Sequence, residues 1–562
     1  MKSPPTKHLL SSLLLLTSPP YLALAQPTVQ PATTPPFCTT TTPADQCAQS
    51  ALSFAFTYGL PLLSFGAIVK PPSPSMPPPP LNTLIHQRSL RSASDREVVR
   101  PNADTLYSNV FFDLGGIEGI EVDVPEVGGG EDGGRYVGVG VYDFYGNNIA
   151  NIGTASTLKH GKFLFRYTKT HSSSSSSPPP SGEAVSEKGD YAGVITLPTP
   201  YGQTLIRIST SNTTQDLDTV HALQDRFVVR EIPLCDTTTD YGSAIVTANS
   251  TENGGGDAIP PLDLTVFQNP YYLPTGNTTI PEAVLRLTAK FAAYNEPLVP
   301  EDRKWVPHAL ELAGCKFETG TWTLPQGTNL TGAVAAANAS VAALLQEPGS
   351  IEELGNGWTV FRQGLVGTYG GEYVGRYIGT GWGYLSLTGD QALYPSYGSS
   401  SALAPGSSGD DEKGEEEEEG KSIILHFSRR PPVKAGAGFW SVTMYGADLF
   451  FVDNEMGRYA VGDRSELRFA DGTLVYPPAF GDNGTATGGG AGEVVGEDGP
   501  FDVLIQSKDV VPPTNWTSNW LPGPSSGEGM DWNLRWYAPE DELFPGGGYE
   551  YPSIEVVDVI RE

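Results

Sequence analysis

The chain has 562 residues, a formal net charge of −30 and a sequence pI near 4.5. A molecule so negative repels phosphate groups, which argues against nucleic acids and anionic membranes as partners. The length predicts two or three domains, because single hydrophobic cores stop growing at about 300 residues.

The N-terminus predicts a secretory signal peptide over residues 1–25. Lys2 and Lys7 precede the apolar block LLSSLLLLT, and small residues up to Ala25 offer a cleavage site. We read no later stretch as a membrane span. The expected location is therefore outside the cell or in the endomembrane lumen.

Cysteines and glycosylation signals agree with that compartment. The four cysteines lack the close spacing of a zinc or redox site, which predicts disulfides, the alternative being buried thiols. Of three connectivities we favour Cys38 with Cys47 and Cys235 with Cys315, because each pair falls within one segment. N-glycosylation sequons occur at Asn212, Asn249, Asn277, Asn329, Asn338, Asn483 and Asn515.

The first half of the chain predicts a helical arm and then a β-sandwich. Residues 26–95 form the arm, in which ADQCAQSALSFAFTYGLPLL has helical spacing and Gly59 and Pro61 predict the helix end, before a proline-rich linker. From 96 to 213, short β-branched and aromatic runs separated by Gly, Pro and Asp predict an antiparallel sandwich.

The second half predicts a helical connecting domain and a second β-domain. Residues 214–354 carry helical spacing in DLDTVHALQDRFVVREI, IPEAVLRLTAKFAAYNEP and GAVAAANASVAALLQEP. Residues 355–562 contain the strand-like runs KSIILHF, GFWSVTMYG, DLFFVDN, LRFADGTLVYP, FDVLIQS and WNLRWYAP, which predict a jelly-roll-like sandwich. A polar tract near 399–420 predicts a disordered insert. The expected fold class is mainly β with a helical middle segment.

The stretch RPNADTLY, residues 100–107, is the first candidate site. It places Arg100, Asn102, Asp104 and Tyr107 at the entrance of a strand. We expect Arg100 and Asp104 to pair and to orient Tyr107 or a ligand, since a carboxylate beside a guanidinium can anchor a polar group. In the alternative interpretation, Asn102 and Asp104 build a turn and Arg100 ties two domains together.

Two further polar clusters and one histidine are candidates. His426 follows an apolar strand and is either a catalytic base or a strand-end residue. Histidines are scarce and HExxH is absent, so we expect no metal and no cofactor.

The second cluster, YDFYGNNIA, contains Asp143, Tyr145 and Asn147. The third contains Trp440, Tyr445, Asn454, Arg458 and Arg464, with Arg535 and Tyr537 further along the chain.

Several segments, in order, resemble a bacterial and fungal family that pairs two domains of unknown function, 1254 on the N-terminal side and 1214 on the C-terminal side. They are VVRPNADTLYSNVFFDL, VGVYDFYGNNIANIGT, GGEYVGRYIGT, GFWSVTMYG, FFVDNEMGRYAVGDRSELRFADGTLVYP, NWLPGP and LRWYAPEDE. The resemblance implies an immunoglobulin-like sandwich, a small helical domain and a jelly-roll-like domain, here in a fungal, secreted member. It implies no established reaction. After YVGRY the family usually has a glycine-rich segment with an asparagine, where this chain has Trp382 and Tyr384.

Three functions fit these observations. The leading hypothesis is an enzyme acting on a polar small molecule or glycan in an inter-domain cleft, by metal-independent acid/base chemistry. Its candidate acids and bases are Asp104, Tyr107, Asp143 and His426, and Arg458 and Arg464 are available to hold an anionic group. The second is a non-catalytic protein that binds carbohydrate or a partner, and the third is a tailoring enzyme for a secondary metabolite.

Overall fold

A computed structural model describes residues 34–71, 73, 75–96, 99–127, 135–168, 191–211, 213–234, 259–398, 420–477 and 495–562. Two β-sandwiches flank a group of helices, so the predicted fold class, mainly β with a helical middle segment, is confirmed. The predicted signal peptide lies outside the described residues, as do residues 399–419 of the insert predicted near 399–420 and also Cys235, Asn212, Asn249 and Asn483.

The first described helix, α1 (Ala44–Val69), is longer than predicted. We expected it to end at Pro61, because proline lacks the amide hydrogen of a helix bond and crowds the preceding turn. That was wrong, since Pro61 lies inside the helix. A Cβ on Gly59 would lie 1.8 Å from the Thr288 hydroxyl, which shows how closely this part is packed. Such packing offsets the roughly 3 kcal/mol that an internal proline costs.

The N-terminal sandwich consists of two facing sheets, with orders β1-β2-β8-β4-β5 and β7-β6-β3-β9. Neighbouring strands are antiparallel except β6 and β7. The strands are β1 (Thr83–His86), β2 (Thr105–Asp113), β3 (Gly119–Val124), β4 (Val137–Asp143), β5 (Asn148–Gly153), β6 (Gly161–Tyr167), β7 (Gly193–Leu197), β8 (Tyr201–Ser209) and, after α2 (Thr214–Gln224), β9 (Val228–Ile232). The run VVREI is thus a strand, where we expected a helix.

The helical segment packs around α1. Its first long helix begins with a capping box, in which Thr279 and Glu282 each satisfy the other's backbone amide. The elements are α3 (Ile280–Phe291), α4 (Val306–Leu312), the short hairpin β10 (Cys315–Lys316) and β11 (Thr321–Trp322), and α5 (Leu330–Gln346).

The C-terminal sandwich has sheets of order β14-β21-β17-β18 and β20-β19-β16-β22, with a small sheet β12-β13-β15 beside them. The runs DLFFVDN and LRFADGTLVYP, predicted as strands, form only isolated bridges. The elements are β12 (Ile351–Gly355), β13 (Trp358–Phe361), α6 (Tyr373–Gly383), β14 (Ala392–Leu393), β15 (Ser396–Tyr397), β16 (Lys421–Phe427), β17 (Phe439–Gly446), β18 (Ala460–Gly462), β19 (Phe501–Ser507), β20 (Trp520–Gly523), β21 (Met530–Tyr537) and β22 (Ser553–Asp558).

Helix α1 also corrects our reading that nothing after the leader has the length of a membrane span. Among the described helices, α1 alone has the length and the apolar composition needed to cross a membrane. In the fold, however, 67% of its most apolar window is buried by the rest of the chain. The helix contacts α3, α4, α5 and α6, so its apolar surface forms the core of the helical segment.

Alternation along β17 and β21 gives their sheet two different faces. Trp440, Leu534 and Trp536 point into the apolar core of the C-terminal sandwich. The opposite face carries Ser441, Thr443 and Tyr445 on β17, directly paired with Arg535, Asn533 and Asp531 on β21. This polar and aromatic face is turned towards the N-terminal sandwich, since the Ser441 hydroxyl donates to Asp104.

Candidate functional site

A cavity of about 190 Å³ lies between the two sandwiches and α6. Its apolar wall comes from Leu205 on β8, from Leu365 and Val366, and from Ile378 and Trp382 on α6. The polar side chains that line it are Arg91, Asp95, Arg100, Asn102, Tyr107, Asn109, Arg207, Tyr369, Tyr384, Ser386, Tyr394, Ser396, Asn533, Arg535 and Tyr537. A cavity that combines an apolar wall with directed polar groups is typical of a small-molecule site, although this one is lined by more polar groups than most.

Arg207 reaches the cavity because of its position on β8. Its neighbours Ile206 and Ile208 point into the core of the N-terminal sandwich, so alternation turns Arg207 to the other face. Tyr107 is directly opposite on β2, and Gly138 is opposite on β4. The Arg207 residue is only 6% exposed, and it donates to the Tyr142 hydroxyl (3.1 Å) and the Leu385 carbonyl (2.7 Å).

The Leu385 carbonyl is aimed at Arg207 by an unusual backbone conformation. Leu385 has a φ of 64°, in the left-handed region that a leucine rarely adopts. Its carbonyl oxygen also accepts the Tyr142 hydroxyl hydrogen at 2.9 Å. Strained backbone of this kind costs on the order of 1–3 kcal/mol and is concentrated at functional sites. Its position on the cavity wall therefore supports a functional assignment.

Arg535 approaches the cavity from the C-terminal side. The residue is 4% exposed, and its guanidinium donates to the Thr443 hydroxyl (2.8 Å), the Tyr445 hydroxyl (2.8 Å) and the Arg100 carbonyl (3.0 Å). Each of these acceptors is neutral at physiological pH, because burial raises the pKa of Tyr445 to about 12. Arg535 is thus held in place without being neutralised.

Two guanidinium charges at the cavity remain uncompensated. Within the described ranges, no carboxylate lies at ion-pair distance from Arg207 or Arg535. Burial raises the pKa of Tyr142 to about 12, so the phenol beside Arg207 is neutral as well. A buried cation is costly unless it is paired, so these two side chains give the cavity an electropositive wall, although the whole chain is strongly acidic.

The charge pair expected within RPNADTLY is wrong, because both partners pair across the domain interface. Arg100 lies 2.7 Å from Asp531 on β21, and Asp104 lies 2.5 Å from Arg464. Both ion pairs join residues more than 350 positions apart, and the pair of Arg100 agrees with the alternative interpretation, in which this arginine ties two domains together. Arg464 is therefore engaged by Asp104 and does not line the cavity, whereas Arg100 does.

Asn102 combines the two roles that the sequence left open. Its side-chain oxygen accepts the backbone amide hydrogens of Asp104 (2.6 Å) and Thr105 (3.1 Å), as in a polar turn. Its amide nitrogen donates to the Tyr537 hydroxyl at 2.7 Å, and both residues line the cavity. The turn thus places a cavity residue.

The cluster YDFYGNNIA is a buried turn, and its first residue, Tyr142, bonds the cavity residue Arg207. The Asp143 carboxylate accepts the backbone amide hydrogens of Tyr145 and Asn147, both at 2.9 Å, and the Asn147 side-chain amide at 2.7 Å. Burial raises the pKa of Asp143 above its usual value. Tyr145 donates to the Asn295 carbonyl (2.9 Å), and its ring lies 4.7 Å from the buried guanidinium of Arg376. None of the three predicted residues lines the cavity.

The third cluster is also divided by the fold. Trp440 belongs to the apolar core, and Tyr445 donates to the Pro101 carbonyl at 2.7 Å. Asn454 bonds the backbone of its own turn. Arg458 donates to the carbonyls of Thr517 (2.6 Å) and Trp520 (2.9 Å). It therefore connects two backbone segments, where we expected it to hold an anion.

His426 lies on the outer face of the β20-β19-β16-β22 sheet. Its ring nitrogens are 2.7 Å from Asp502 and 3.1 Å from Glu555 on the neighbouring strands. Partial burial lowers the pKa of the ring, but the hydrogen bonds and charges of Asp502 and Glu555 outweigh this and raise it. His426 is outside the cavity, which favours the interpretation as a strand-end residue.

Arg207, Tyr394 and Asn533 line the cavity but lie outside the three predicted clusters, and Arg535 lies in the third cluster without a predicted role. The available signal was an arginine alternating with isoleucines in TLIRIST, which shows that the side chain leaves the core but not what it meets. Among the described residues, no group of three or more His, Cys, Asp or Glu side chains could hold a metal ion.

Fold and site together define a protein of two β-sandwiches with a cavity between them that two buried arginines line. A family model described as a protein of unknown function, DUF1254, matches residues 81–231, and a second, DUF1214, matches 404–477 and 480–541. The chain belongs to the family that pairs these two domains in this order. Tyr107 and Arg207 lie in the first match, and Arg535 and Tyr537 in the second.

Solved structures from two bacteria resemble the chain. A crystal structure of a Vibrio parahaemolyticus protein is 17% identical, with a TM-score of 0.48, and the match covers 92% of this chain and 100% of the other. A putative uncharacterised protein from Burkholderia cenocepacia is 11% identical, with a TM-score of 0.32, and the match covers 92% and 94%. No curated protein matches the chain.

Proposed function

We propose that this protein binds a small organic acid in the inter-domain cavity. One observation carries the proposal: Arg207 and Arg535, each more than nine-tenths buried, line the same cavity and have no carboxylate partner among the described residues. A bound carboxylate would supply the missing counter-charge. A neutral glycan, which our sequence analysis allowed, would leave both charges uncompensated.

The remaining wall defines the rest of the ligand. Two of the five N–H groups of the Arg207 guanidinium donate to the protein. The others remain available to a carboxylate, which a planar guanidinium can bind through two hydrogen bonds. Leu205, Val366 and Trp382 give the chamber an apolar side, which suits an alkyl or aryl body next to the acid group. The proposed ligand class is therefore a monoacid with an apolar body.

A catalytic role is the second candidate, and it depends on Tyr107. Of the four residues that we predicted as acids or bases, Tyr107 lines the cavity, whereas Asp104, Asp143 and His426 do not. Its position opposite Arg207 on the adjacent strand is suited to a phenol that donates a proton to a bound substrate. If the site is catalytic, Tyr107→Phe will abolish turnover and change the dissociation constant only slightly.

Calorimetric titration with a panel of small carboxylic acids tests the binding proposal. The matched variants are Arg207→Met, which removes a cavity charge, and Arg230→Met, which removes an exposed arginine of the same sandwich. We expect a hit for the native chain and the Arg230 variant, with affinity about 10- to 100-fold lower for Arg207→Met, since a hydrogen bond to a charged group contributes about 1.5–3 kcal/mol. Equal affinity for all three chains would refute the proposal.

We also propose that the protein is secreted. The predicted disulfide between Cys38 and Cys47 is present, and disulfides persist mainly in oxidising compartments. Cys315 is buried and unbonded among the described residues, and its predicted partner Cys235 lies outside them, so that pairing stays a prediction. N-terminal sequencing of protein from the culture medium tests cleavage after Ala25. A retained leader, or no export, would contradict the proposal.

A further inference from the structure

A second cavity, of about 460 Å³, adjoins the first on the side of β12, β13 and β14. The apolar part of its wall includes Val360, Ala392, Leu393, Phe544 and Pro545, and the polar part includes Glu352, Arg362 and Gln363. Three residues, Phe361, Val366 and Tyr394, line both cavities. These three side chains therefore form the partition between the anion cavity and the second cavity.

Two of the three side chains of the partition, Phe361 and Val366, are apolar, and a ligand would pass between the cavities beside them. Phe361 and Val366 are half-buried hydrocarbon side chains, and the Phe361 ring packs on Trp382 with a centroid distance of 5.8 Å. Tyr394 is held differently, since its hydroxyl accepts the Leu387 amide hydrogen at 3.3 Å. Hydrocarbon side chains shift between rotamers without breaking polar bonds, so Phe361 and Val366 are the movable part of the partition.

We infer that the second cavity receives the apolar body of the same acidic ligand. The inference rests on the proposed function and deepens it: the carboxylate occupies the cavity of Arg207 and Arg535, and an alkyl chain passes Phe361 and Val366 into the second cavity. The ligand class is then an elongated amphipathic monocarboxylic acid. The apolar part of the second cavity's wall supports this occupant, because burial of hydrocarbon is the main source of its affinity.

Gly389 offers a way to fill the second cavity without disturbing the first. It lines the second cavity only, and a Cβ added there would meet its nearest neighbours, Gln363 and Leu393, at 3.8 and 3.9 Å, which is ordinary van der Waals contact. Gly389→Leu therefore places a side chain at the cavity wall. Gly389→Ala is the matched control, since it changes the backbone in the same way but adds one methyl group.

The experiment is a calorimetric titration of the full chain with butyrate, decanoate and decanol. We expect affinity to rise roughly threefold to fourfold per methylene once the chain reaches the second cavity, so decanoate binds far more tightly than butyrate. Gly389→Leu should weaken decanoate at least tenfold and leave butyrate unchanged, while Gly389→Ala changes neither. Decanol lacks the carboxylate, so it should bind weakly, with the same affinity for the native chain and for the Arg207→Met variant.

The outcomes separate the two proposals. If Arg207→Met weakens both acids while Gly389→Leu changes neither, the acid site stands and the second cavity has no part in binding. If decanoate binds no better than butyrate to the native chain, the inference is likewise refuted. If no acid binds and Arg207→Met has no effect, the proposed function fails and this inference fails with it.

Discussion

Replacing Arg207 by methionine should separate the stability of the protein from its ligand binding. The Leu385 carbonyl would keep its hydrogen bond from Tyr142, so the substitution leaves no orphaned acceptor on the cavity wall. Two hydrogen bonds of about 0.5–1.5 kcal/mol each are lost, but an unpaired buried charge disappears. Replacing buried ionic groups by apolar ones is often neutral or stabilising by about 1–4 kcal/mol. We therefore expect an unchanged or raised free energy of unfolding without ligand.

Arg458→Met is the matched control for this prediction. Arg458 is partly buried and, like Arg207, makes two side-chain hydrogen bonds, to the backbone carbonyls of Thr517 and Trp520. Its removal leaves these acceptors without that donor, at about 1–3 kcal/mol for each buried unsatisfied group, and should not affect acid binding. Urea denaturation and calorimetry of both variants give the comparison. If Arg207→Met loses as much stability as Arg458→Met and binds acids normally, Arg207 is structural and our reasoning is wrong.

Three further predictions concern the interface and the surface. Burial raises the pKa of Asp463 to about 6, from 3.8 in the unfolded chain, so the free energy of unfolding falls as pH rises from 4 to 6, by on the order of 3 kcal/mol. Asp463→Asn should flatten that decline in urea titrations at pH 4 and pH 7, and an unchanged slope would contradict the assignment. Asp104→Asn removes the carboxylate nearest to the largely buried Arg464 and leaves it Asp463 at 3.9 Å, so the variant should be destabilised by at most about 3–5 kcal/mol. The double variant with Arg464→Met should lose less than the sum of the two single variants. Additive losses would show that the pair is not coupled. Asn277 is exposed in a loop, whereas the Asn338 side chain lies within α5 and accepts a hydrogen bond from a tyrosine of α6. We therefore expect a glycan on Asn277 and none on Asn338. Asn277→Gln should lose a glycosidase-sensitive glycan, and Asn338→Gln should not. A glycan lost from both would refute this distinction.

The strands were predictable because their patterns are local. Alternation in KSIILHF, GFWSVTMYG and FDVLIQS indicates strands whatever they pair with, and all three are strands here. The end of α1 was mispredicted for the opposite reason. The stability of Pro61 inside that helix depends on packing against α3, which lies more than 200 residues away along the chain.

The site was predictable only in part, because both sides of the cavity come from distant segments. RPNADTLY does supply cavity residues, Arg100, Asn102 and Tyr107, as the motif suggested. Its aspartate, however, pairs with an arginine 360 positions further on, and nothing local distinguishes that partner from the arginine four residues before it. Alternation shows that Arg207 leaves the sandwich core, but what it meets on the other face is a property of the domain arrangement.

The division of the cavity between the two matched domains has a thermodynamic consequence. A ligand that contacts Arg207 on one sandwich and Arg535 on the other binds only when the sandwiches are docked, so its binding free energy adds to the free energy that holds them together. Either domain expressed alone would carry half of the recognition surface and should not retain the affinity of the whole. That interdependence is a physical reason for the two domains to occur together in one polypeptide.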